Sequence, residues 1–177
     1  MSISLTATGI SGSPTPGSRS RKVLVRVLEH VAGRGVETST LDLADLPADA
    51  LLARRTDPLV ADAFAACMKA NILILATPTY RATYAGQLKA FMDLFPHAGL
   101  TGLVVGAVVT AGGPMHLLLL DHGIRPLVAS LGGLTASQLV YVTDSELPSG
   151  ASIGAELDKR LAAMADELVT LAGRTTG

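Results

Sequence analysis

Hydroxyl, guanidinium and glycine residues crowd into three short segments of this chain. The first, residues 11–20, reads Ser-Gly-Ser-Pro-Thr-Pro-Gly-Ser-Arg-Ser and stands between an apolar run and a helical pattern. Unpaired backbone N–H groups at a helix start sit at the positive end of the helix dipole and favour an anion. The hydroxyls of Ser13, Ser18 and Ser20 add donors, and Arg19 adds a permanent charge on a planar fork that suits phosphate oxygens. The segment is neither a G-x-G-x-x-G fingerprint nor a G-x-x-x-x-G-K-[ST] loop, so the expected anion is a single phosphate monoester. The plainer alternative is Ser18 as an ordinary N-cap beside a turn.

The second segment, residues 77–84, is Thr-Pro-Thr-Tyr-Arg-Ala-Thr-Tyr. The chain has three tyrosines, and two of them, Tyr80 and Tyr84, stand here. A ring beside a flat ligand is one use for them, and packing of Tyr84 under the following helix is the other. The third segment is Thr110-Ala111-Gly112-Gly113-Pro114. Paired glycines let the backbone approach a planar ring and present N–H groups to it, unless they merely make a tight turn.

The remaining candidates are fewer. Four histidines are scattered, and only His116 and His122 share an expected helix. Six residues apart, they fall on different faces, so no metal site is expected. The single cysteine, Cys67, reads as a small apolar residue of a helix and excludes an intramolecular disulfide.

The elements that must position these segments follow from periodicity. Strands are expected at residues 3–10, 36–43, 71–76, 103–110 and 136–142. Helices are expected at 18–32, 59–69, 84–95, 116–131 and 151–172. Residues 46–57, with Arg54 and Arg55, read as a connection, and 77–83 and 111–115 as loops. Five strands alternating with five helices give an α/β fold, a doubly wound five-stranded parallel sheet with helices on both faces. In such sheets ligands bind outside the carboxyl ends of the strands, where the three segments would lie.

Composition bounds the rest. The 177 residues are 49% hydrophobic and 16% charged, with net charge −1, and mean hydropathy is +0.43. One domain spanning residues 1–177 is expected, with no basic field for nucleic acid. Residues 94–120 lack Asp, Glu, Lys and Arg. Glycines and prolines break that stretch well short of the roughly 20 apolar residues a membrane helix needs. The N-terminus lacks a signal-peptide pattern, so a cytoplasmic setting is expected. Low charge, together with four successive leucines at 117–120, points to a homo-oligomer, because one helix face cannot turn all four toward one core.

The order of these motifs resembles the NADPH-dependent FMN reductase family, of flavodoxin-like fold. The residues concerned are Gly12, Ser13 and Ser20; Thr77-Pro78-x-Tyr80; Gly86-x-Leu88-Lys89-x3-Asp93; and Gly112-Gly113. Within the family the chain most resembles the reductase components of two-component alkanesulfonate monooxygenases. That closer likeness is carried by Gly12-Ser13-Pro14, Ser18-Arg19-Ser20, Leu51-Leu52-x-Arg54 and His116-Leu117-Leu118-x2-Asp121-x4-Pro126.

The resemblance implies FMN as the flavin, with its phosphate on Ser13, Ser18, Arg19 and Ser20. Pro78, Thr79, Tyr80 and Arg81 would line one edge of the ring, and Thr110, Ala111, Gly112 and Gly113 the other. It also implies hydride transfer from NADPH, or NADH, with no catalytic side chain. A dimer or tetramer would hand reduced FMN to a partner flavin-dependent monooxygenase of sulfonate metabolism. Alternatives are an FMN-bound quinone, azo or metal-oxyanion reductase, or a non-enzymatic flavodoxin-type carrier. The helix containing His122, Gly123 and Pro126 is expected to carry a one-residue π-type insertion at a subunit interface, with His122 where tyrosine is common in the resembling pattern.

Overall fold

Successive side chains of a strand face opposite sides of its sheet, so a strand buried on both faces needs an unbroken apolar run. The run at residues 72–76 meets that need. In the computed structural model, which describes residues 4–175, Leu73 and Leu75 enter one core and Ile72, Ile74 and Ala76 the other.

In chain order the elements are β1 (Thr6–Ser11), α1 (Arg19–Ala32), β2 (Glu37–Asp42), the one-turn α2 (Ala48–Leu51), α3 (Pro58–Lys69), β3 (Ile72–Tyr80) and β4 (Thr83–Tyr84). They continue with α4 (Gly86–Met92), β5 (Val104–Ala111), α5 (Arg125–Ser130), β6 (Leu134–Thr135), β7 (Val140–Thr143) and α6 (Ala155–Thr175). The strand order is β2-β1-β3-β5-β6, with β7 also on β5 and β4 on β3. All pairings are parallel except β3 with β4. Helices α1 and α6 cover one face, and α3, α4 and α5 the other. The doubly wound, flavodoxin-like architecture is therefore as expected, and α1 carries the amphipathic stripe read from sequence: Val23, Leu24, Val27, Leu28 and Val31 are buried.

Several boundaries differ, each for a local reason. Among the described residues the sheet has seven strands rather than five. Of the expected fifth strand at 136–142 only residues 140–142 are strand, as part of β7, and β6 lies before it; side chains capture the backbone in between. The Glu167 carboxylate takes the amides of Ser137 and Gln138 at 2.7 and 2.9 Å. The Arg125 guanidinium takes the carbonyls of Ala136 and Ser137 at 2.9 and 2.7 Å. The expected loop at 77–83 instead continues β3, since Thr77 and Pro78 stay in register with Val109 and Thr110. It then folds back, pairing Tyr80 with Thr83 and Thr79 with Tyr84. Tyr84 is thus a strand residue, and the helix expected from 84 starts at Gly86. The connection at 46–57 contains α2, preceded by a 3-10 turn at Leu43–Asp45. The start of the first strand expected at residue 3 lies outside the described residues.

The helix expected at 116–131 is three pieces: a 3-10 turn (Pro114–His116), a π turn (Leu120–Ile124) and α5. Proline lacks an N–H and its ring crowds the carbonyl four residues back. Pro126 would crowd His122 in a regular helix. The wider turn, in which the Arg125 amide donates to Leu120 O, accommodates it.

Candidate functional site

The strand order reverses direction between β1 and β3, and the three segments meet at that end of the sheet. Ser11 pairs with Ala76, and Pro78 with Thr110. The Gly12 amide donates to Ala76 O at 2.7 Å, which fastens the first segment to β3. Only glycine fits there: a Cβ on Gly12 would lie 2.8 Å from Leu88 Cβ and 3.2 Å from the Ala76 carbonyl oxygen.

The three strand ends enclose a cleft of about 250 Å³. Ser13, Ser18, Arg19 and Ser20 line it from the first segment, Pro78, Thr79 and Tyr80 from the second, and Thr110, Ala111 and Gly112 from the third, with Thr15 as an addition. Gly113 and Arg81 do not line it. Gly113 is the next residue along the rim. Arg81 stands exposed at the tip of the β3–β4 hairpin. There Arg81 (φ 49°) and Ala82 (φ 68°) both adopt left-handed backbone. A two-residue hairpin loop demands that conformation, and glycine or asparagine usually supplies it. Tyr84 packs against the core on the α4 side.

The polar groups at the phosphate end are arranged but not exhausted. Ser18 caps α1, accepting the Arg21 amide at 3.2 Å, and its hydroxyl shares a hydrogen bond with Ser20 Oγ at 3.0 Å. Ser13 Oγ accepts the Thr15 amide at 3.1 Å. Neither the Arg19 nor the Ser20 amide has a protein acceptor among the described residues, as expected for the first turn of a helix. Thr79 Oγ1 is buried without a partner among the described residues, although buried hydroxyls normally have one. Thr77 Oγ1, by contrast, is spoken for: it donates to Pro78 O at 2.9 Å and accepts the Ala85 amide at 3.0 Å.

Two residues escaped the sequence reading. The buried Tyr141 donates its hydroxyl to Gly113 O at 2.7 Å, holding the glycine pair in place. Burial pushes its phenol above the ordinary value, so it keeps the proton it donates. Asp144, just past β7, forms an ion pair with Arg19. Applying the carboxyl-end rule to the fifth strand as well as to the first, third and fourth would have found both.

His116 and His122 were expected on different faces, yet both line a second cavity of about 250 Å³ beside Ala82, Thr83 and Met115. The chain passes from a 3-10 turn ending at His116 into a π turn that includes His122, so the α-helical spacing argument does not hold. No group of three or more His, Cys, Asp or Glu side chains is placed to hold a metal among the described residues. Cys67 is fully buried, and burial pushes its thiol up to about 12, which keeps it out of thiolate chemistry. No helix of the described residues is long and apolar enough to cross a membrane.

Comparison with known proteins shows this chain to be similar to flavin enzymes. The model of the NADPH-dependent FMN reductase family matches residues 5–146. An FMN reductase (NADPH) of Pseudomonas putida is 34% identical over 139 residues, covering 78% of this chain and 71% of that protein. The NADH-dependent FMN reductase SfnF of Pseudomonas fluorescens is 30% identical over 177 residues, covering 98% and 95%. Among solved structures, the apo form of an NADH:FMN oxidoreductase, EMOB, superposes with a TM-score of 0.87 at 30% identity, covering 95% of this chain and 90% of that one.

Proposed function

The chain belongs to the NADPH-dependent FMN reductase family, and from that premise we propose that its cleft binds FMN by the phosphate and passes hydride to it from NADPH or NADH. Bound there, the flavin would supply the hydride-accepting ring. The chain's own part is to hold, orient and shield the two reacting rings, so no side chain need act as acid or base.

The residues present suit FMN. Ser13, Ser18 and Ser20, the free amides at the start of α1 and the Arg19 guanidinium would hold the phosphate. Thr79, whose buried Oγ1 has no partner among the described residues, also lines the cleft. Pro78, Tyr80, Thr110, Ala111 and Gly112 would border the ring, with Arg81 and Gly113 at the rim. No atom lies within 4 Å of the place a Cβ would take on Gly112 or Gly113, so a flat ring can approach that backbone.

Reduced FMN would leave the cleft for a flavin-dependent monooxygenase, as the resemblance to sulfonate-linked reductases implies. We extend the reading to a cytoplasmic homo-oligomer, dimer or tetramer. Exposed Met115, Leu117 and Leu118 beside the cavity lined by His122 would supply the apolar contact.

The observation that carries the reading is that three segments far apart in sequence wall one cleft at the carboxyl ends of β1, β3 and β5. Arg19→Ala tests it. FMN binding, followed by flavin fluorescence, should weaken by about 1.5–3 kcal/mol, the scale of a hydrogen bond to a charged group. Riboflavin, which lacks the phosphate, should lose little. Equal losses for both flavins would remove the phosphate from this loop. Absence of NADPH or NADH oxidation at 340 nm with added FMN would remove the activity.

A further inference from the structure

Among the described residues Arg19 is the only charged one lining the cleft, and it is already spoken for on one side. Asp144 hangs from the same strand end as the cleft wall, its amide donating to Ala111 O at 3.0 Å. Its carboxylate is ion-paired with Arg19 Nη1. Asp144 Oδ1 is shielded from solvent and takes no hydrogen bond among the described residues, so charge rather than a directed bond is the tie. The same Nη1 donates to Leu147 O at 3.4 Å. Nε and Nη2, the other edge of the guanidinium, have no protein partner among the described residues. The neighbouring cations are not spare: Arg21 pairs with Asp42 at 3.0 Å, and Lys22 donates to the Ala151 carbonyl.

Two consequences follow from this arrangement. Asp144 and the Leu147 carbonyl fix one end of the fork and leave its Nε/Nη2 edge open to a phosphate. At the same time the carboxylate cancels the one positive charge the cleft presents, and it repels a dianion drawn to that charge. We propose that Asp144 is a positioning residue that sets how loosely the phosphate monoester is held, keeping the flavin exchangeable between turnovers. The proposal rests on Arg19 binding the FMN phosphate.

Asp144→Asn keeps the size and shape of the side chain and removes the charge. Titrated against free FMN and followed by fluorescence, this variant should bind FMN about tenfold more tightly than the parent protein, the scale of one nearby unit charge. Its affinity for riboflavin should be unchanged. The gain should shrink in 0.5 M salt, since screening shortens the reach of charge. Asp144→Glu should restore the parent's preference between the two flavins, and Asp144→Ser serves as a second neutral variant if the asparagine protein does not fold.

FMN affinity that is unchanged or weaker in a folded neutral variant overturns the proposal, as does an equal gain for riboflavin. Arg19→Ala separates the two failures. If that change leaves FMN binding intact, the phosphate assignment itself is wrong. If it weakens FMN while Asp144→Asn has no effect, the assignment stands and the role of Asp144 falls.

Discussion

Tyr141 shows how a residue remote in sequence shapes the cleft. Its buried ring belongs to the core on the α4 side, and its hydroxyl reaches Gly113 O at 2.7 Å. Nothing among the described residues crowds the Cβ positions of Gly112 and Gly113, and this hydrogen bond ties Gly113 to the core. Tyr141→Phe keeps the packing and deletes the tether. The variant should melt within a few degrees of the parent, because one hydrogen bond contributes only about 0.5–1.5 kcal/mol. FMN and riboflavin should both bind severalfold more weakly, since the ring edge rather than the phosphate is disturbed. Unchanged affinity for both would show that the glycine pair is held by its own turn.

Elements meet through charge as well as packing. Helices α1 and α6 lie side by side, and Asp158 of α6 accepts from Arg26 at 2.7 and 2.9 Å and contacts His30 at 2.8 Å. The Arg26 hydrogen bonds first, and the His30 contact second, hold the Asp158 carboxyl well below its usual range. A carboxylate with a depressed folded-state value stabilises the fold above its unfolded value, near pH 4, and loses that contribution as pH falls toward the folded value. Parent and Asp158→Asn should therefore differ most in melting temperature at pH 6–7 and converge as pH drops below about 4. A gap that stays constant down to pH 2 would assign the difference to shape rather than charge. The π turn at Leu120–Ile124 is a second feature of element scale. Pro126 accounts for its widened backbone, and His122 stands exposed upon it.

The whole molecule keeps its two cores on opposite faces of one sheet, yet leaves large apolar side chains outside both. Met115 is 89% exposed, Leu118 62% and Leu117 51%, while Leu119 and Leu120 are buried. Side chains of that size left bare next to a cavity commonly mark a contact with another molecule. Sedimentation at micromolar concentration should give a dimer or tetramer, and Leu118→Glu should shift the distribution toward the 18.1 kDa chain. A parent protein sedimenting as that single species would reject self-association.

The sequence determined the alternation of strands and helices, the buried central strand at 72–76, the inner face of α1 and the three segments that wall the cleft. These are local properties: apolar period, capping residues and glycine content act over a few neighbours. Tertiary structure decided what depends on partners far along the chain. Glu167 and Arg125 cut short the start of the last expected strand by taking its backbone groups, a competition no window of that strand contains. The hairpin after β3 exists because Thr77 and Pro78 find Val109 and Thr110 beside them, which overrides the loop composition of residues 77–83. Arg19 announced itself as an anion-binding side chain beside a helix start. That a carboxylate some 125 residues later neutralises it, through the pair with Asp144, follows only when β7 is laid along β5, because charges act across space and the sequence does not contain that distance.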